Sequence, residues 1–218
     1  EPFDTLRIAT NYAKKHGGTP EFWIKVWEDK KNEACERGTT FHKKKEDYIN
    51  GRGLLVFNNQ VHFAQNQEFY NHTDFAPGVY TEMLLWNEAF EIAGQSDIVI
   101  IRHPKVIKQH EENRLIADLD DHKTNGKIST ESFLNTRTNK RKMMLYPLNH
   151  LQDCNIQHYE LQLSIYAYML EMWGYEVGTL QITHYPHNDE GNPIVYPLKY
   201  LKREVLLMLN YHRINKAA

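Results

Sequence analysis

The stretch Ile116-Ala117-Asp118-Leu119-Asp120-Asp121-His122-Lys123-Thr124 starts as an apolar run and ends in acids followed by a lysine. The spacing predicts a central strand over 115–119. Side chains alternate along a strand, so Asp121 and Lys123 point the same way. A carboxylate and an ammonium held side by side can grip a hard cation and a phosphate oxygen or water together. Taken alone, the segment reads more simply as an exposed strand end with a weak ion pair.

The neighbouring segment upstream adds a second acid. Asp97 opens Ile98-Val99-Ile100-Ile101, a run so apolar that its strand must be buried. A carboxylate at the mouth of such a strand needs a partner or a metal. The competing reading is an aspartate that closes a hairpin, with a turn at Gly94-Gln95-Ser96. If the two strands are neighbours, Asp97 and Asp121 form a carboxylate pair with an adjoining lysine.

Farther out, the pattern predicts helices over 3–16, ended by Gly17-Gly18, and from Pro20 toward Arg37, interrupted by Gly38, then a short helix over 41–49. Strands follow over 54–57 and 61–63, and 79–86 fits either strand or helix. Downstream of the acids, a polar and basic stretch from Lys123 to about Asn155 is too long for a simple connection, which points to a segment that is either functional or partly mobile. A helix over 159–173, strands over 179–184 and 194–196, and a helix over 199–213 complete an α/β or α+β sheet with helices packed on it.

The 218 residues contain 41% hydrophobic, 25% charged and 12% aromatic side chains, which excludes a disordered chain and fits one domain. No apolar run is long enough to span a bilayer, and EPFDTLRIAT has no signal-peptide centre, so no membrane association is expected. Cys35 and Cys154 are too few for a disulfide framework or a four-thiolate centre and suit a reducing cytoplasm. A net charge of -2 excludes a globally basic nucleic-acid binder, yet Lys43-Lys44-Lys45 and Arg137, Lys140, Arg141, Lys142 are local basic clusters.

GQSDIV followed by DHKT resembles the PD-(D/E)xK nuclease superfamily, with Asp97 as the first acid, Asp121 as the second and Lys123 as the lysine. Among the three aspartates 118, 120 and 121, only Asp121 has a lysine two positions on. Further elements resemble the RecB-like, lambda-exonuclease-like branch. Gly38-Thr39-Thr40-Phe41-His42 matches its GxxxH element, with Glu46 one helical turn later. Glu82 in VYTEMLLW resembles its additional glutamate, and Gln162-Leu163-Ser164-Ile165-Tyr166 its QxxxY helix. An i, i+4 spacing places Gln162 and Tyr166 on one helix face.

The resemblance implies a restriction-endonuclease-like core with a central mixed sheet flanked by helices, a single nuclease domain over 38–218 behind an N-terminal helical segment over 1–37. It implies Mg²⁺ or Mn²⁺ held by Asp97, Asp121, the His122 backbone carbonyl, and His42 or Glu82, without an iron–sulfur cluster, which two cysteines cannot build. Lys123 would orient the attacking water, while Gln162 and Tyr166 position the scissile strand. The implied partner is DNA, single-stranded or at a duplex end, with RNA also open, an oligomer possible, and a bacterial or phage-infected cytoplasm as the setting. Trp23, Trp27 and Tyr48 would be available to stack on bases, although packing is the commoner use of such side chains. Two other classes stay open. One is a catalytically silent nuclease fold that binds DNA or assembles. The other is a zinc hydrolase built on histidines such as His184 and His187, which lacks an HExxH element.

Overall fold

The computed structural model describes residues 4–67, 73–105, 114–186 and 189–216. They divide into two compact units, one ending at Lys44 and the other starting at Lys45. In the first, helix α1 (Thr5–His16) is capped by Asp4, whose carboxylate accepts the Arg7 N–H at 2.9 Å, and ends at Gly17 with φ +79°. Helix α2 (Pro20–Arg52) begins where the Thr19 hydroxyl accepts the Phe22 N–H. Trp23 donates its indole N–H to the Gly17 carbonyl at 2.7 Å, and Tyr12 meets Trp23 and Trp27 edge-on. The two tryptophans therefore pack the α1/α2 turn.

Gly38 does not interrupt α2, which runs unbroken for 33 residues. One glycine inside a helix costs only about 1 kcal/mol against alanine, too little to break a segment supported on both sides. The expected segment boundary after residue 37 therefore falls within a helix.

The second unit is built on a mixed seven-stranded sheet in the order β1-β2-β3-β4-β5-β8-β9. Its strands are β1 (Leu54–Phe57), β2 (Gln60–Gln65), β3 (Gly78–Asn87), β4 (Ile92–Arg102), β5 (Ile116–Lys123), β8 (Glu176–His184) and β9 (Ile194–Pro197). Strands β2/β3 and β5/β8 pair parallel, and the other neighbours pair antiparallel. A separate hairpin, β6 (Leu134–Asn135) with β7 (Lys140–Arg141), lies in the long connection after β5. Helix α3 (Asn155–Met172) supplies Leu163, Ala167 and Leu170 to the main core, against Met83, Leu85, Val99, Ile101 and Leu119. Helix α4 (Lys202–Lys216) packs Val205 and Leu209 on Tyr168 of α3. On the opposite sheet face Ile49 joins Phe57, Val79, Ile98 and Ile100 in a smaller core.

The ambiguous segment around Val79 to Trp86 is thus a strand, and the β3–β4 turn lies at 88–91, not at Gly94-Gln95-Ser96. Gly94 serves tertiary packing instead. A Cβ there would lie 2.6 Å from the Tyr166 ring, so glycine lets α3 seat that ring on the strand. Asp97 consequently sits within β4 and not at a strand mouth.

Candidate active site

Register assembles the site. Thr81 pairs with Ile98 and Met83 with Ser96, which sets Glu82 across from Asp97. Ile98 pairs with Asp120 in the antiparallel β4/β5 register, which sets Asp97 across from Asp121 on the next strand. Glu82, Asp97 and Asp121 therefore follow one another across β3, β4 and β5. Glu82 and Asp97 each offer a carboxylate oxygen within 4.8 Å of the other. The Asp97 carboxylate accepts the His122 backbone N–H at 2.7 Å, which ties β4 to the C-terminal end of β5.

Glu82 has φ +50°, in the left-handed region. A residue with a Cβ pays about 1–3 kcal/mol to be held there, and such strain concentrates at functional sites. Its effect is visible in the side-chain alternation. Tyr80, Met83 and Leu85 all reach the α3-side core, whereas strict alternation would put 80, 82 and 84 on one face. The phase changes at the glutamate, and the Gln95 side-chain amide donates to the Glu82 carbonyl at 3.0 Å to hold the irregular backbone.

Ala117 and Leu119 face α3, so alternation brings Asp121 and Lys123 to that face as well. Lys123 forms an ion pair with Asp121. Gln162 closes the triangle, its Oε1 accepting from the Lys123 ammonium and its Nε2 donating to Asp121 Oδ1, both at 3.3 Å. The ammonium also lies 4.8 Å from the centre of the Tyr159 ring, a contact the sequence reading missed. Tyr159 precedes Gln162 by three residues on α3, and that i, i+3 spacing was its one available signal. Burial works against the Lys123 charge, but Asp121, its ion-pair contact and Asp97 outweigh it and hold the ammonium above its ordinary value.

Tyr166 sits one turn beyond Gln162, against Gly94. The two side chains line a groove of about 520 Å³ between α3, α4 and the start of β4. His42 lies on α2 within the first unit, three positions before the helix enters the second. Its expected companion Glu46 lies beyond that boundary.

The other acids of β5 face away from α3. Asp118 is fully buried and accepts two hydrogen bonds from Arg102, at 2.5 and 3.1 Å, plus the Thr179 N–H at 2.6 Å. Asp120 accepts from the Thr183 hydroxyl at 2.8–2.9 Å and from Gln181 at 3.1 Å. Burial pushes its carboxyl up to about 7 against the lowering effect of those donors, with Asp121 and Asp97 adding to the rise. It lines a cavity of about 370 Å³ with His122, Thr183 and Tyr185, which sequence reasoning did not foresee.

His184 is buried with Nε2 2.5 Å from the Asn125 carbonyl, a structural role, and His187 lies outside the described residues. Among the described residues no helix is long and apolar enough to cross a membrane. No family model matches the chain, and no curated protein matches it.

Proposed function

We propose that the chain is a metal-dependent nuclease that hydrolyses DNA phosphodiesters to leave 5′-phosphates, working in recombination, repair or phage DNA processing. The observation that carries this reading is the succession Glu82, Asp97, Asp121 across three adjacent strands, closed by Lys123 and Gln162. Carboxylates this close repel one another unless a cation neutralises them, and an all-oxygen donor set suits Mg²⁺ or Mn²⁺. Glu82, Asp97, Asp121 and the His122 backbone carbonyl would hold the ion. When bound, it would acidify a water and offset charge on the phosphate.

The protein groups divide the remaining work. Lys123, held above its ordinary value, stays an ammonium at neutral pH. It therefore donates to the attacking water and to a phosphate oxygen instead of accepting a proton. Gln162 contacts both Lys123 and Asp121, so its amide fixes the ammonium relative to the carboxylate. Tyr166, seated on Gly94, presents its hydroxyl beside Gln162 for the sugar–phosphate backbone. The His122 N–H restrains Asp97 in the orientation that faces Glu82.

The test is cleavage of end-labelled single-stranded, linear duplex and closed circular DNA, and of single-stranded RNA, with Mg²⁺ or Mn²⁺. Metal-dependent cleavage that Lys123→Ala and Asp121→Ala both abolish is the expected result. Attack on circles assigns an endonuclease, and attack only from ends an exonuclease. A folded wild type that leaves every substrate intact in either metal overturns the reading.

A further inference from the structure

The connection from β5 to α3 presents three large apolar side chains to solvent: Phe133, Leu145 and Tyr146 are 73%, 87% and 70% exposed. Single exposed apolar residues are ordinary, but a local group on a firmly built support marks an interaction surface. The support is firm. Lys142 N–H donates to the Phe133 carbonyl at 2.9 Å, and Met144 N–H to Leu151 at 2.9 Å. Arg141 donates to the Ser132 carbonyl at 2.7 Å, and Gln152 accepts the Ser132 N–H at 3.1 Å. Leu148 and Ser132 are buried beneath. The Tyr146 ring meets Tyr211 of α4 edge-on at 5.3 Å.

Charge decides the kind of partner. Arg137, Lys140 and Lys142 are exposed among these apolar groups, and neither Arg137 nor Lys140 has an ion pair among the described residues. Protein interfaces are depleted of lysine at their cores, whereas a surface that alternates cations with stacking side chains suits the phosphates and unpaired bases of a single strand. The segment is also fastened to the candidate active site. It leaves β5 directly after Lys123 and returns at α3, where Ser129 N–H and hydroxyl donate to Asn155 Oδ1 at 3.0 and 2.7 Å. Tyr159 and Gln162, both against Lys123, follow within two turns.

We infer that residues 133–146 form a stacking platform that holds unpaired bases of a DNA single strand and feeds that strand toward Lys123. The inference rests on the nuclease reading for where the strand leads.

Its test is binding without turnover: fluorescence anisotropy of a labelled oligo-dT and of a blunt duplex in chelator. Phe133→Ala and Tyr146→Ala should each weaken oligo-dT binding about ten-fold, the effect of one lost stack, and change duplex binding far less, while Leu145→Ala, which removes no ring, should cost less than either. Tyr146→Trp should bind as wild type and Tyr146→Leu as the alanine variant, which separates stacking from mere apolar contact. Met172→Ala, another exposed apolar side chain in the second unit, should change nothing. Equal losses on both DNA forms, wild-type affinity in both Phe133→Ala and Tyr146→Ala, or a change only in oligomeric state would overturn the platform. Lys123→Ala keeps the two readings apart. A wild type that cleaves nothing yet binds oligo-dT through these residues removes the nuclease and leaves the platform. Cleavage that requires Lys123, with platform variants that bind normally, removes the platform alone.

Discussion

Strand β5 carries three aspartates within four residues, and its two faces use them in opposite ways. On the face away from α3, Asp118 and Asp120 are buried and bonded to Arg102, the Thr179 N–H, Thr183 and Gln181. Those partners come from the sheet itself and hold it in register. On the α3 face, Asp121 is matched with a lysine and an amide on flexible side chains, and Asp97 on the adjacent strand bonds the next backbone N–H. A scaffold acid is satisfied by fixed neighbours in one geometry. Asp121 is satisfied instead by the ends of two long side chains, which can release it.

The sharpest way to break this contrast is Asp118→Ala. Removing one member of a buried, doubly hydrogen-bonded pair leaves Arg102 uncompensated and should cost about 3–5 kcal/mol, read by urea denaturation. Cleavage per folded molecule should be kept. Lys123→Ala also strips a buried carboxylate, Asp121, of its partner and should cost stability, but unlike Asp118→Ala it should lower the cleavage rate per folded molecule about 10³-fold, near 4 kcal/mol of barrier. If Asp118→Ala stayed stable but lost activity, the division between the two faces would be wrong.

The same contrast explains what the sequence disclosed. Alternation along the strand put Asp121 and Lys123 on one side, the lysine two positions on distinguished Asp121 from Asp118 and Asp120, and three-and-four spacing revealed α3 with Gln162 on it. The α/β class followed from the order of elements. What stayed hidden depended on distant neighbours. Gly94 has the composition of a turn, yet its purpose is the Tyr166 ring 72 residues later. Gly178 has no local signal, but a Cβ there would lie 2.1 Å from the Asp118 carboxylate. The left-handed Glu82 breaks a strand pattern that local propensity would continue, because glutamate has no preference for that region. The hairpin at 134–141 lacked the alternating apolar pattern by which strands are read.

Asp120 offers a test of intermediate size. Its carboxyl is raised from an ordinary 3.8 to about 7 in the folded chain, so the folded state holds a proton that the unfolded state releases. The stability this group contributes is fully present below about 4 and is lost as pH rises toward 7. Asp120→Asn removes that dependence. In metal-free protein, the wild-type stability minus that of Asp120→Asn should fall between pH 4 and 7, by up to about 1.4 kcal/mol per unit, and be level above. A flat difference would show that Thr183 and Gln181 suffice to keep the carboxylate ionised, and the scaffold face would then be less protected from charge than its burial implies.

Gln162→Ala is the mildest of these changes and probes how far the chemical face extends onto α3. The substitution removes both amide contacts while the Lys123–Asp121 ion pair and the Tyr159 ring remain to hold the ammonium. Positioning by one neutral hydrogen-bonding group is worth about 1 kcal/mol, so single-turnover cleavage should slow roughly ten-fold or less, with stability nearly unchanged. Such a value would make Gln162 a positioning residue that acts through Lys123. A loss as deep as that of Lys123→Ala would mean that the amide itself meets the phosphate. The boundary between scaffold and chemistry would then run through α3 and not along the face of β5.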